Sequence, residues 1–309
     1  MQITNSILMI RPVNFRMNEQ TAVNNYFQED IDVKNTAINA RAQEEFDAFV
    51  TVLRSKGVNV IAVPDTESPD TPDSIFPNNW ISFHADGTVG LYPMFAENRR
   101  NERREDILDI LEEKGFEVKN VVDYTSAEAA GVFLEATGSM ALDRVHKKAY
   151  CALSDRADEE LFIEFCEDFE YSPVIFTANQ SVDGKRMPIY HTNVMMCLAE
   201  DFVVICLDTI DDKQEKKNVI GHLKQNNKEI ITIDEHQMHH FAGNMLQVLG
   251  ADDIRFLVMS SAAYKSLNAN QVKRIEKHCE IIHSSLDTIE TCGGGSARCM
   301  MAEVFLPRN

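Results

Sequence analysis

The chain has 309 residues, of which 44% are apolar and 26% are charged, the balance of a globular protein with a large core. Its formal net charge of −19 disfavours binding to nucleic acid or to an anionic membrane surface, because both are negatively charged. Its seven cysteines show no CxxC spacing. This argues against a disulfide framework or a structural zinc site, and we expect a reducing, cytoplasmic location.

Helical and strand patterns alternate along the chain, so we expect an α/β protein with a single domain over residues 1–309. Apolar residues at helical spacing predict helices at residues 35–57, 97–115 and 158–169. Short β-rich runs predict strands between them, at residues 58–63, 89–91, 149–153, 174–177, 203–207 and 229–233. Residues 65–79, rich in Pro, Asp and Ser, predict a mobile surface loop. Residues 1–11 lack the layout of a secretory signal.

Five segments share one pattern, in which a small or polar residue opens an apolar, Met-rich strand. They begin at Asn79, Gly138, Asn193, Asn244 and Cys299, at intervals of 59, 55, 51 and 55 residues. A unit repeated at this period is typical of one supersecondary element copied around an axis. The five strand starts would then meet around one pocket. The plainer interpretation is five ordinary buried strands with coincidental spacing.

The last of these segments contains the best candidate for a nucleophile. Cys299 follows the glycine run 293–295, which allows the backbone to approach a ligand closely, and the adjacent Arg298 could stabilise a thiolate. Cys292 borders the same glycines and is the rival nucleophile. We expect the other five cysteines to be buried apolar residues.

Two further segments contain titratable side chains at matching positions. His191 opens an apolar strand and is a candidate general base and acid, although a histidine at a strand end is more often structural. Glu135 follows a Phe-Leu pair, and a carboxylate there needs a partner, such as a substrate N–H group. A cluster of three histidines, His236, His239 and His240, is a weaker candidate for metal binding and is more simply structural.

Together these motifs resemble the pentein superfamily of guanidino-modifying enzymes, over nearly the whole chain. The motifs are a Leu-Glu-x-x-Gly turn at Glu135, a His-Thr-Asn turn at His191 and the segment Gly-Gly-Gly-Ser-Ala-Arg-Cys ending at Cys299. They are most similar to the amidinotransferase-related branch, which includes citrulline ureidases and arginine deiminase-like proteins. The resemblance implies a five-bladed, pseudo-fivefold ββαβ propeller with the nucleophile Cys299, the general acid/base His191 and the substrate-binding acid Glu135 on its axis.

The chain departs from the arginine-processing pattern at two aspartate positions, where it has Asn79 and Asn193. It also has Gly138 where a further carboxylate is typical. Charge-assisted hydrogen bonds contribute about 1.5–3 kcal/mol each, so a guanidinium would lose several kcal/mol here. Asparagine offers both a donor and an acceptor to a neutral ureido group. We therefore expect hydrolysis of citrulline to ornithine, carbon dioxide and ammonia. Arginine deimination, or another amidinohydrolase or amidinotransferase reaction, is the alternative.

The expected partner is a small amino acid substrate, and a thiolate with an imidazole requires neither cofactor nor metal. An arginine should bind the α-carboxylate of the substrate; Arg99 and Arg100 are preferred, and Arg298 also borders the site. Arg16 and Arg186 remain open. A rival of another class is a non-catalytic amino acid binder on the same fold. We also leave a homo-oligomer open.

Overall fold

The computed structural model describes residues 1–308, which form a mixed α/β fold built from small sheets. The strands are β1 (Ser6–Arg11), β2 (Asn59–Pro64), β3 (Ile81–Phe83), β4 (Thr88–Leu91), β5 (Asn120–Asp123), β6 (Met140–Asp143), β7 (Lys148–Leu153), β8 (Ser172–Thr177), β9 (Asn179–Val182), β10 (Lys185–Pro188), β11 (Met196–Leu198), β12 (Phe202–Ile205), β13 (Glu229–Thr232), β14 (Leu246–Leu249), β15 (Arg255–Ser260), β16 (Glu280–Ser284) and β17 (Ala302–Glu303). The helices are α1 (Asn35–Ser55), α2 (Asp106–Glu113), α3 (Ala136–Ser139), α4 (Glu159–Asp168), α5 (Thr192–Met195), α6 (Lys213–Gln225), α7 (Glu235–His239), α8 (Ser261–Ser266), α9 (Ala269–Ile275) and α10 (Asp287–Gly293).

Five three-stranded sheets repeat one pairing pattern. In four of them, the central strand pairs antiparallel with the strand before it and parallel with the strand after it; these sheets are β3-β4-β5, β6-β7-β8, β11-β12-β13 and β14-β15-β16. In the remaining sheet, β1 pairs parallel with β2 and antiparallel with the C-terminal β17. The two ends of the chain therefore complete one sheet together. Strands β9 and β10 form a separate hairpin.

The predicted helices differ in how well they match. The prediction at 35–57 is confirmed as α1, whose buried side chains recur every three or four residues and which ends before Gly57, at φ +84°. The prediction at 158–169 is confirmed as α4. This helix begins after Asp158 because the Asp158 carboxylate accepts the Leu161 N–H. The prediction at 97–115 is wrong in its first part. Residues Glu97–Glu102 form a 3-10 helix that turns Arg99 inward, and only α2 is α-helical.

The predicted strands all match observed strands, with bounds that differ by up to two residues. The five repeated positions, however, do not open the strands directly. Asn79 ends a 3-10 helix, Pro77–Asn79, and Gly138 and Asn193 lie in the one-turn helices α3 and α5. Each of the five residues precedes its strand by two or three positions. All five residues are buried, so these turns lie inside the fold and not at its surface.

Part of the predicted mobile surface loop is buried. Within residues 65–79, Thr71–Asn79 are buried without exception, so the expectation of a surface loop is wrong for this half. The Pro and Asp content indicated a turn correctly, but tertiary contacts decide its burial. All seven cysteines are buried free thiols. Among residues 1–308, no helix is both long and apolar enough to cross a membrane.

Candidate active site

Several of the predicted residues line one narrow cavity of about 10 Å³, space for about one water molecule. Its walls come from the turns before β3 and β17, from residue 191 before α5 and from loops early in the chain. The lining residues that matter here are Asp73, Asn79, Arg99, Arg156, Tyr190, His191 and Cys299.

Cys299 sits in this cavity because the glycine run packs tightly behind it. A Cβ on Gly293 or Gly295 would lie 2.8 or 2.9 Å from the Phe76 ring, so larger residues would displace that ring. The Cys299 sulfur faces two buried amide groups. Asn244 Nδ2 lies 3.2 Å from Sγ and Asn193 Nδ2 lies 3.5 Å from it. A sulfur that gains negative charge is therefore met by N–H donors.

His191 and Glu135 form a buried pair, with 2.6 Å between His191 Nε2 and Glu135 Oε2. Burial raises the pKa of Glu135, but Arg156, His191 and Arg99 outweigh it and bring the pKa to about 2. Burial lowers the pKa of His191 to about 4, although Glu135 opposes this change. At neutral pH the site thus has a carboxylate and a neutral imidazole, a pair that can accept a proton from a thiol.

Arg99 fixes the orientation of the Asn79 amide. Arg99 donates to Asn79 Oδ1 at 2.9 Å and forms a two-pronged pair with Glu102, at 2.9 Å for both bonds. Asn79 Nδ2 therefore points away from Arg99 and donates to Asn78 Oδ1 at 3.0 Å. A Cβ on Gly138 would lie 2.5 Å from Asn79 Nδ2, so glycine at 138 is required for this packing.

Two cavity residues, Arg156 and Asp73, were missed by the sequence analysis. Arg156 is 2% exposed, lies 3.6 Å from Glu135 and donates to the Thr21 carbonyl at 3.0 Å. Asp73 Oδ2 accepts from Asn18 at 2.8 Å and Thr21 at 3.2 Å. Asp73 Oδ1 is buried without a hydrogen-bond partner among residues 1–308. One signal was available for Arg156: it follows Arg99 by 57 residues, close to the repeat interval.

The remaining predicted residues lie elsewhere. Arg100 is directed to the Met94 carbonyl and to Glu128. Arg298 donates to the Met301 carbonyl and to Glu303. Neither side chain reaches the cavity, because nearer acceptors hold both, and this corrects the expectation that they bind substrate.

The rival nucleophile and the histidine cluster also lie outside the cavity. Cys292 is fully buried in the apolar cluster that packs α10 against α1. The histidines at 236, 239 and 240 form no metal-binding group within the described residues 1–308. The His236 and His240 rings instead contact each other at a tilt of 40°, with 4.5 Å between their centroids.

The chain matches one family model over residues 11–306, that of the eukaryotic N,N-dimethylarginine dimethylhydrolases. No curated protein matches the sequence. Among solved structures, the chain is similar to ArgZ, an arginine dihydrolase from the ornithine-ammonia cycle in cyanobacteria, at a TM-score of 0.75 and 15% identity. That match covers 98% of this chain and 41% of ArgZ, so the chain spans less than half of that relative.

Two further structures match over almost their whole length. One is the N-terminal domain of a point variant of ArgZ, covalently bound to a reaction intermediate, with a TM-score of 0.71, 16% identity and coverage of 98% of this chain and 99% of that one. The other is a point variant of dimethylarginine dimethylaminohydrolase that carries an adduct with S-methyl-L-thiocitrulline. Its TM-score is 0.63, its identity 15%, and its coverage 97% of this chain and 99% of that one.

The family match spans nearly the whole chain, and the fold is similar to those of pentein structures, which confirms the resemblance seen in the motifs. The chain therefore belongs to the family of eukaryotic N,N-dimethylarginine dimethylhydrolases, within the pentein superfamily of guanidino-modifying enzymes.

Proposed function

We propose that this enzyme hydrolyses citrulline to ornithine, carbon dioxide and ammonia. The observation that carries the proposal is the orientation of Asn79. Its oxygen is occupied by Arg99, and its nitrogen has two hydrogens, of which Asn78 takes one. The other remains for a ligand. A ureido oxygen accepts such a bond, whereas a guanidinium has only donors to offer.

The neutral His191 acts first, as a base. The Cys299 thiol gives its proton to His191 while the sulfur attacks the ureido carbon, and Glu135 stabilises the imidazolium across their 2.6 Å contact. Negative charge moves onto the ureido oxygen, where Asn79 and Asn193 donate to it. His191 then returns the proton to the departing nitrogen. Ornithine leaves, and an S-carbamoyl group remains on Cys299.

Water completes the reaction. His191 takes a proton from a water molecule while the water oxygen attacks the carbamoyl carbon. The carbon–sulfur bond then breaks and restores the thiolate. The protonated His191 then returns its proton to Cys299. The product, carbamate, decays to carbon dioxide and ammonia.

Arg156 and Asp73 are suited to the amino acid end of the substrate. Arg156 directs Nη1 only towards Glu135, at 3.6 Å, so this group can turn to an α-carboxylate. The unused oxygen of Asp73 is a matching acceptor for an α-ammonium group. Arg99, the preferred candidate from the sequence, lines the cavity but already binds Glu102 and Asn79. We therefore assign the α-carboxylate to Arg156 and leave Arg99 to orient Asn79.

Arginine is the second candidate substrate. The observation that favours it is the free acceptor on Asp73, whose Oδ1 is buried without a hydrogen-bond partner among residues 1–308. Such an oxygen can also accept from a cationic side chain. The match to an arginine dihydrolase agrees with this second candidate.

We infer that the five sheets are the blades of a propeller around the site. The repeated pairing pattern supports this arrangement, as do contacts of β17 with β3, of β6 with β11 and of β11 with β14. We also propose a reducing, cytoplasmic compartment, since all seven cysteines are free thiols.

The test is incubation of the purified enzyme with citrulline and with arginine separately, followed by amino acid analysis. We expect ornithine from citrulline and little change in arginine. Release of ammonia from arginine with citrulline untouched would replace this proposal by the arginine reaction.

A further inference from the structure

The fourth repeat contributes a buried amide to the site, and this group takes part in neither the proton transfers nor the substrate contacts described above. Asn244 precedes β14 by two residues and is fully buried. Its Nδ2 is 3.2 Å from Cys299 Sγ and 3.1 Å from the Asn193 backbone carbonyl. Both hydrogens of this nitrogen therefore have acceptors in place.

The direction of the Asn244 amide is fixed by the backbone. The Arg298 N–H donates to Asn244 Oδ1 at 3.0 Å. An N–H group can only donate, so the oxygen must face Arg298 and the nitrogen must face the sulfur. If the amide were flipped, its nitrogen would face the Arg298 N–H, so that two donors would meet. Its oxygen would then face the sulfur and the Asn193 carbonyl, neither of which can donate to it.

Asn193 is held less firmly. Its Nδ2 lies 3.5 Å from the sulfur and its Oδ1 lies 3.9 Å from it, so both ends of this amide are near Sγ. Of the two amides that face Cys299, only Asn244 combines the shorter contact with a locked donor.

We propose that Asn244 is a catalytic residue that holds the Cys299 sulfur as a thiolate and aims it at the substrate carbon. The proposal rests on Cys299 being the nucleophile of the proposed reaction, but not on the identity of the substrate. The N–H of Asn244 stabilises the sulfur once its proton has moved to His191, and it stabilises the thiolate again when the carbon–sulfur bond of the intermediate breaks.

The experiment measures alkylation of Cys299 by iodoacetamide across pH, without substrate, in the wild type and in Asn244→Ala and Asn244→Asp. A charge-assisted hydrogen bond corresponds to about a ten- to hundredfold change in an equilibrium. We therefore expect alkylation at neutral pH to slow by about tenfold or more in Asn244→Ala. It should slow further in Asn244→Asp, because a carboxylate repels the thiolate.

This order separates a role towards sulfur from a purely structural one. Aspartate keeps an oxygen for the Arg298 N–H, whereas alanine does not, so a structural role predicts that Asn244→Asp is the milder change. Gln247→Ala is the matched control: Gln247 is a buried amide on β14 that binds the Glu200 N–H, and its loss should leave alkylation unchanged. Asn193→Ala should slow alkylation less than Asn244→Ala.

Two results would overturn the proposal. One is alkylation of Asn244→Asp as fast as that of Asn244→Ala or faster, and the other is an equal slowing in Gln247→Ala. Thermal unfolding of each variant shows whether it is folded. If Asn244→Ala is not folded, the alkylation rates of Asn244→Asp and the wild type are compared instead, and equal rates would overturn the proposal. If citrulline proves not to be the substrate, the labelling order still stands, so the two proposals fail separately.

Discussion

Replacement of Asn79 by aspartate tests how the enzyme recognises a neutral substrate. In Asn79→Asp, one carboxylate oxygen keeps the bond from Arg99, so we expect the fold to be retained. The other oxygen replaces Nδ2, and it would face both Asn78 Oδ1, which lies 3.0 Å from Nδ2 in the wild type, and the ureido oxygen. The variant exchanges a donor for an anion at the point where the reaction develops negative charge.

The expected loss follows from that exchange. A hydrogen bond to a charged group contributes about 1.5–3 kcal/mol, and about 1.4 kcal/mol corresponds to a factor of ten. The lost bond alone lowers kcat/KM for citrulline by about 10- to 100-fold, and repulsion increases the loss. Arginine should bind more tightly by at most about 1.5–3 kcal/mol. Tighter binding does not guarantee turnover, because only interactions made in the transition state raise kcat.

The assay is kcat/KM for citrulline and arginine, from ornithine and ammonia release. Asn120→Asp, an exposed position on β5, is the control with the same charge change and should behave as wild type. A kcat/KM for citrulline in Asn79→Asp within about threefold of wild type would show that the Asn79 donor does not serve the reaction. Recognition of a neutral substrate through Asn79 would then be refuted.

Four further predictions concern the rest of the site. Cys299→Ala should abolish turnover while Cys292→Ala retains it; the reverse result would move the nucleophile to Cys292. His191→Gln should lower kcat by roughly 10²–10⁴, and a loss below tenfold would remove its acid/base role. The pKa of His191 falls from 6.5 to about 4 on folding, so between these pH values the unfolded chain binds the extra proton and stability falls as the pH is lowered. His191→Gln should remove much of that fall, so that the melting temperature depends less on pH between 6.5 and 4. An unchanged slope would contradict a neutral His191. Arg156→Lys should raise KM far more than it lowers kcat, and a change confined to kcat would place Arg156 away from the α-carboxylate.

The repeat in the sequence predicted much of the site, because small or polar residues at similar intervals occupy the turn before one strand in each of the five sheets. It predicted that Asn79, His191 and Cys299 share one pocket, as they do. The contact of Glu135 with His191 was not predicted, because the expected partner of Glu135 was a substrate N–H group. The sequence pointed to Asn244 by its interval alone. Its contact with the Cys299 sulfur is seen only in the structure.

The residues that were missed depend on contacts between loops. Asp73 belongs to a segment with surface composition, and it is buried because Asn18, Thr21 and Arg99 surround it. Arg100 and Arg298 neighbour important residues in sequence, but adjacent side chains in a turn point in different directions. Sequence proximity therefore misplaced both, while Arg156, far from every motif, reaches the cavity.

The chemical identity of the group that Cys299 carries during turnover distinguishes the two reactions most directly. Enzyme mixed with citrulline or arginine is quenched in acid, digested and examined by mass spectrometry, with Cys299→Ala as the blank. We predict a carbamoyl group on Cys299 with citrulline. An amidino group with arginine and no adduct with citrulline, or an adduct on another residue, would contradict citrulline hydrolysis through Cys299.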